Sequence, residues 1–125
     1  MKNKREHIKD KIINAKITHL DIGWAKFEFN FTADMPCAPD ECAGYTNLNT
    51  YKIYVDDRVE PEVFREVLLH EMTHVMLETI GYTNPDEDKE FNPTNEELAT
   101  NISRGMLLLM KLNPKLFAIL VSNEA

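Results

Sequence analysis

The first third of the chain changes from a helical pattern of apolar residues to a strand pattern. In residues 3–15 apolar side chains recur at helical spacing among charged ones, which predicts a short surface helix. These side chains are Ile8, Ile12 and Ala15. From Ile17 the period becomes two, which predicts a strand that buries one face. The apolar positions of that strand are Phe27, Phe29 and Phe31.

A second strand system is predicted in residues 44–55, whose sequence is GYTNLNTYKIYV. Tyr51, Ile53 and Val55 alternate with other residues there, and the run from Asn47 to Asn49 is typical of a hairpin turn. The intervening residues 34–43 contain two prolines and three acidic side chains, so they are predicted to be a loop.

The remainder of the chain has helical periodicity. A helix is predicted from Pro61 to Gly81, a natural stop residue, and its apolar side chains cover so much of its circumference that we expect a central, buried helix. An acidic loop is predicted at 82–93, followed by a helix at 94–112 and a short last helix. Within the helix at 94–112, Met106–Met110 is expected to be core. The prediction is a single α+β domain spanning residues 1–125, with a small antiparallel or mixed sheet.

Composition and charge narrow the possible functions. The chain has 125 residues, and its 14 basic and 21 acidic side chains give a net charge of −7. Such a balance is unfavourable for binding phosphate backbones, so no nucleic-acid partner is expected. No apolar run approaches the roughly 18–20 residues that span a bilayer, and the N-terminal residues lack the apolar segment of a signal peptide. We therefore expect no membrane association and a cytoplasmic location.

The cysteine content fits that expectation. Cys37 and Cys42 are the two cysteines of the chain, in a C-x4-C spacing. Without an export signal they are predicted to be reduced thiols, and the alternative is a redox-active or metal-binding pair.

The strongest chemical signal is the H-E-x-x-H motif of His70, Glu71 and His74. Residues four apart on a helix share a face, so the two imidazoles can bind one zinc ion. Glu71 lies beside the pair, where a carboxylate can polarise a water molecule rather than ligate the metal. The alternative is two histidines hydrogen-bonded inside a buried helix, and the cost of burying them unpaired favours the metal.

A catalytic zinc site needs a third protein ligand. No histidine follows His74, so a carboxylate of the next helix is expected, either Glu96 or Glu97. We favour Glu97 because Asn101, four residues later on the same face, can hydrogen-bond a ligating imidazole. The alternative is that Glu97 only caps its own helix, since Thr94-x-x-Glu97 has the pattern of a capping box.

The segments LLHEMTH, IGY and NEELATNISRGMLLLMKLNP resemble the small zincin-like proteins of phages and bacterial mobile elements. Those are relatives of the ImmA/IrrE-type zinc peptidases, gluzincin-like enzymes with H-E-x-x-H on one helix and a glutamate on the next. The resemblance covers roughly residues 42–114, and it extends upstream to the strand pair in GYTNLNTYKIYVDD. It implies a minimal zincin-like fold and a polypeptide substrate, which by analogy pairs with a sheet edge near Tyr45–Tyr51.

Motif and resemblance together predict a zinc-dependent metallopeptidase. Zinc is expected on His70, His74 and Glu97 with water in the fourth position, and Glu71 is expected to move the water's proton to the leaving amine. The alternative is a zinc-containing, non-catalytic binding or regulatory module. Three tyrosines are candidate hydrogen-bond donors to the reacting carbonyl: Tyr45, Tyr54 and Tyr82.

Overall fold

A computed structural model of the protein describes residues 6–37, 42–81 and 94–122. Within these residues four helices and four strands form an α+β fold with a mixed sheet, the class that the sequence predicts. The acidic stretch 86–90, Tyr82 and part of the predicted loop 34–43 lie outside them. In chain order the elements are α1 (Ile8–Asn14), β1 (His19–Asp21), β2 (Lys26–Thr32), β3 (Gly44–Asn47), β4 (Lys52–Asp56), α2 (Pro61–Thr79), α3 (Asn95–Leu112) and α4 (Pro114–Leu120).

The sheet has the strand order β1-β2-β4-β3, so β1 and β3 are its two edges. β1 pairs antiparallel with β2, β2 parallel with β4, and β3 antiparallel with β4. The predicted hairpin is therefore confirmed. Its turn is fixed by Asn47, whose Oδ1 accepts hydrogen bonds from the backbone N–H groups of Asn49 and Thr50 at 2.9 and 3.1 Å. Tyr51 lies in this turn at φ 59°, so β4 begins one residue later than the alternation suggested.

One face of the sheet carries the core, because alternate residues of a strand point to the same side. Phe29 lies opposite Ile53 and Phe31 opposite Val55 in the β2–β4 register, and the ring of Phe31 packs edge-on against Phe64 of α2 with 5.0 Å between ring centroids. Helix α1 adds two fully buried side chains, Ile8 and Ile12. The predicted one-sided burial is thus confirmed for Phe27, whereas Phe29 and Phe31 pack against the core but are only half-buried.

Helix α2 is central, since it contacts α1, α3, β3 and β4, but only one side of it is buried. Pro61 occupies its first turn and Gly81, at φ 90°, follows its end, as the sequence predicts. The expectation of a buried helix is confirmed for one side and wrong for the other, where Val63 and Leu69 are 44% and 38% exposed. The buried side consists of Phe64, Leu68, Glu71, Met72, Val75 and Met76.

Helices α3 and α4 meet at Asn113, a buried residue that ties them to the edge of the sheet. Its Oδ1 accepts a hydrogen bond from the Asp21 backbone N–H at 2.8 Å, and its Nδ2 donates to the Asp21 carbonyl at 2.7 Å. The prediction that Met106–Met110 is core is wrong for most of this stretch. Leu109 is buried, whereas Leu107, Leu108 and Met110 are 52%, 39% and 44% exposed. Of the described helices, none combines the length and apolarity that crossing a bilayer requires.

The cysteine pair differs from the sequence prediction. Cys37 and Cys42 form a disulfide bond just before β3, with their Cα atoms 6.3 Å apart. That separation lies within the range of ordinary disulfides, about 4.4–6.8 Å. The prediction of reduced thiols relied on the expected compartment alone, and the spacing of the two residues along the chain could not reveal that the fold brings them together.

Candidate metal centre

His70 and His74 project side by side from the exposed face of α2. Their Nε2 atoms are 3.1 Å apart, and their ring centroids are 4.7 Å apart. Two nitrogen ligands of a tetrahedral zinc ion, each about 2.0–2.1 Å from the metal, are separated by about 3.3 Å. The two imidazoles thus present their nitrogens at nearly the spacing that a shared zinc ion requires, and the donor set fits the metal.

Both histidines are solvent-exposed, which corrects one argument made from the sequence. The expected free-energy cost of burying two imidazoles does not arise, because both histidines lie on the solvent-facing side of α2. The interpretation as a metal site relies instead on the convergence of the two nitrogens, whose 3.1 Å separation is also that of a hydrogen bond between the rings. Exposure also leaves room beside the pair for a substrate or a further ligand.

Glu71, unlike the histidines, points into the protein and is only 6% exposed. Its Oε1 accepts a hydrogen bond from Thr46 Oγ1 of β3 at 2.7 Å. Potential ligand atoms of His70, Glu71 and His74 lie within 4.8 Å of one another. The carboxylate therefore lies beside the imidazole nitrogens and is held in a fixed orientation by the edge strand.

Gly44 allows β3 to approach Glu71 this closely. A Cβ atom at Gly44 would lie 2.6 Å from Val67 Cγ1 and 2.9 Å from both Cγ and Oε2 of Glu71. Sequence reasoning missed Gly44 and Thr46 as parts of the site. A signal for Gly44 was present, since a glycine within a strand often marks a close approach of another group. Nothing in the sequence singled out Thr46.

The structure does not bring Glu97 to the histidines. Glu97 lies in the first turn of α3, where its carboxylate accepts hydrogen bonds from the backbone N–H and the hydroxyl of Thr94 at 3.1 and 2.9 Å. Thr94 Oγ1 in turn accepts from the Glu97 N–H, which completes the predicted capping box. The backbone bond, followed by the hydroxyl bond, lowers the pKa of Glu97. Among the described residues neither Glu97 nor Glu96 belongs to the His70–Glu71–His74 group, so the third ligand stays a prediction.

A cleft opens next to the motif, between α2 and the start of β3. Its volume is about 300 Å³, and its lining includes His70 and Glu71 together with Gly44 and Glu66. On the opposite face of β3, Tyr45 lies across from Tyr54, with ring centroids 6.2 Å apart. Tyr45 alternates with Gly44 and Thr46, which face α2, so it points away from the motif. The cleft is large enough to admit a side chain or a short segment of polypeptide.

Comparison with known proteins gives no match, whether with protein-family models, curated sequences or solved structures. The function must therefore be argued from the site itself.

Proposed function

We propose that the protein is a zinc-dependent metallopeptidase with His70 and His74 as metal ligands and Glu71 as general base. The observation that carries the proposal is the 3.1 Å separation of the two Nε2 atoms, with a buried, hydrogen-bonded carboxylate beside them and an open cleft in front. Glu97 is proposed as the third ligand, on the sequence argument alone. The substrate is a polypeptide, and its identity is left open.

Zinc, when bound, would supply a Lewis acid that polarises the peptide carbonyl and lowers the pKa of its bound water to about 7. Glu71 accepts the proton of the attacking water as the new C–O bond forms. The same carboxylate then delivers the proton to the amine as the C–N bond breaks. Thr46 keeps the carboxylate oriented through its 2.7 Å hydrogen bond to Oε1.

The proposal includes a cytoplasmic location. The disulfide between Cys37 and Cys42 argues against it, because thiols in that compartment are kept reduced.

One observation favours the alternative function, a zinc-containing binding module without catalysis. Glu71 is buried and bonded to Thr46, as a purely structural carboxylate would be. Both functions require the metal, so metal binding must be tested first and proton transfer second.

Metal binding is tested by elemental analysis of protein purified without an affinity tag. Wild type is expected to hold about one zinc per chain, and His70→Ala and His74→Ala are expected to lose most of it. His19→Ala is the matched control, because His19 lies on β1, at the other edge of the sheet. Wild type that refuses added zinc would refute both functions.

Catalysis is tested with Glu71→Gln, which keeps the shape of the side chain but removes the base. The variant is expected to hold zinc as wild type does, while cleavage of a peptide library falls by at least about 10²-fold. Glu78→Gln, an exposed change on the same helix, is the control. Equal cleavage by wild type and Glu71→Gln would exclude the mechanism, and zinc binding without any cleavage would favour the binding module.

A further inference from the structure

A second cleft, separate from the metal centre, lies at the other edge of the sheet. It has a volume of about 420 Å³, within the range of small-molecule sites, about 300–1,000 Å³. The turn after α1, strand β1, the start of β2 and the α3–α4 junction form its walls. Two strands separate β1 from β3 in the sheet, so the cleft is remote from His70 and Glu71.

The lining of this cleft is basic in a chain whose net charge is −7. Lys16, Lys26 and Lys115 line it from three separate parts of the chain, and His19 is a fourth basic residue of the lining. Asp21 is the one carboxylate of the lining, and its Oδ1 accepts a hydrogen bond from the Gly23 N–H at 2.8 Å. Ion pairs within 4.0 Å among the described residues join Arg58 to Asp56 and Arg65 to Glu62, and none of them involves these lysines.

The backbone at Lys16 is a second, independent observation. The N–H of Lys16 bonds to the Ile13 carbonyl and the N–H of Ile17 to the Ile12 carbonyl, the paired bonds of a Schellman motif at the end of α1. Lys16 occupies the left-handed position of that motif at φ 61°, where glycine is the usual residue. A lysine in this conformation is uncommon and carries backbone strain that a glycine would avoid.

From these observations we infer that the cleft is a binding site for a small phosphate-bearing anion. An ammonium group is a compact point charge suited to phosphate, whereas planar carboxylates are more often held by arginine, which is missing from this lining. Phosphate monoesters carry about −1.5 to −2 charges near neutral pH, which the three lysines can balance. His19 Nδ1 lies 2.7 Å from Thr18 Oγ1, a contact that does not use its Nε2. A nucleic acid is not the ligand class, because such interfaces bury about 1,000–2,500 Å² of strongly positive surface.

Calorimetric titration with sodium pyrophosphate at fixed ionic strength tests this inference. We expect a Kd of about 1 mM or lower, and a three- to tenfold weakening, approximately, in each of Lys26→Gln and Lys115→Gln. Arg104→Gln removes the same charge from an exposed position on α3 outside the cleft, and it is expected to bind as wild type does. Equal weakening by Arg104→Gln would show a general charge effect and overturn the inference, as would tighter binding of citrate than of pyrophosphate.

Lys16→Gly gives the sharpest discrimination, because folding and binding should respond in opposite directions. Glycine suits the left-handed backbone, so the melting temperature is expected to stay the same or rise, while pyrophosphate binding weakens by about three- to tenfold. Amide chemical-shift changes on titration should be confined to the residues around Lys16, Lys26 and Lys115. Unchanged binding by Lys16→Gly, or shift changes spread evenly over the chain, would overturn the inference.

Discussion

Replacing Gly44 by alanine tests how the edge strand holds Glu71. The added Cβ would lie 2.6 Å from Val67 Cγ1 and 2.9 Å from Glu71 Cγ. Carbon atoms in contact pack about 3.5–4.0 Å apart, so β3 and α2 must separate locally by about 1 Å. The close atoms belong to two different side chains, Val67 and Glu71, so a single rotamer change cannot relieve the strain.

The expected magnitude follows from two opposing effects. Overpacking of this kind costs about 1–3 kcal/mol, and the lower entropy of the unfolded alanine chain returns about 0.4–1 kcal/mol. The midpoints of the two ranges differ by about 1.3 kcal/mol, which is the loss of unfolding free energy expected for Gly44→Ala. If the proposed peptidase activity is correct, a 1 Å displacement of Glu71 should also reduce it by about 10²-fold. Zinc content should be unchanged, because the atoms nearest to the added Cβ belong to Val67 and Glu71 and not to the two histidines.

Urea unfolding, zinc analysis and peptide cleavage measure the three quantities. Gly81→Ala is the matched control, since Gly81 has φ 90° but no heavy atom within 4 Å of an added Cβ. The control should lose about 1 kcal/mol through backbone strain alone and keep its activity. Gly44→Ala as stable as wild type would refute the close approach described here. Equal loss of activity in both variants would show that reduced stability, and not the position of Glu71, is responsible.

Three further predictions concern other parts of the fold. The side-chain hydrogen bond from Arg58 lowers the pKa of Asp56. Wild type should therefore have a free energy of unfolding higher than that of Asp56→Asn by about 1 kcal/mol or less above about pH 4, and this difference should vanish as the pH falls through the folded pKa. Thermal melts between about pH 2 and about pH 7 measure the difference. Dithiothreitol should destabilise wild type by about 2 kcal/mol, the value for so short a loop, and leave Cys37→Ser unaffected. Glu97→Ala should release zinc and Glu96→Ala should retain it; equal zinc content in the two variants would assign Glu97 to helix capping alone.

The sequence predicted the elements of the fold well where local chemistry fixes them. Pro61, Thr94 and the Asn113-Pro114 pair set helix ends, and those ends lie where the pattern indicated. Burial was predicted less well, because apolar content does not show which side of a helix faces the sheet. Helix α2 and the Met106–Met110 stretch therefore have exposed apolar side chains where a core was expected. The parallel pairing of β2 with β4 depends on the crossover between them, which the alternation of residues does not encode.

For the candidate site, the sequence predicted what a single helix can determine. The spacing of His70 and His74 on one helix determines that their nitrogens converge. The groups that orient Glu71 come from β3, about 25 residues earlier, and depend on how the sheet packs against α2. The third ligand is a similar case, since the position of Glu97 relative to the histidines depends on how α3 packs beside α2. The lysines of the basic cleft come from distant positions in the sequence. The negative net charge of the chain therefore gave no indication that they lie together.

The contact between Asn113 and Asp21 bears on how the protein avoids uncontrolled assembly. An uncovered strand edge offers backbone groups that a neighbouring molecule can extend into a growing fibre. The Asn113 side chain hydrogen-bonds both the N–H and the carbonyl of Asp21, and β1 has only three residues. The β1 edge therefore presents few free backbone groups to another strand. Within the described residues β3 is then the edge left for strand addition. If two molecules paired through β3, neither would have an open edge left, so strand addition by this route would stop at a dimer. Asn113→Ala would free the β1 edge as well, so each molecule could then pair at both edges of its sheet.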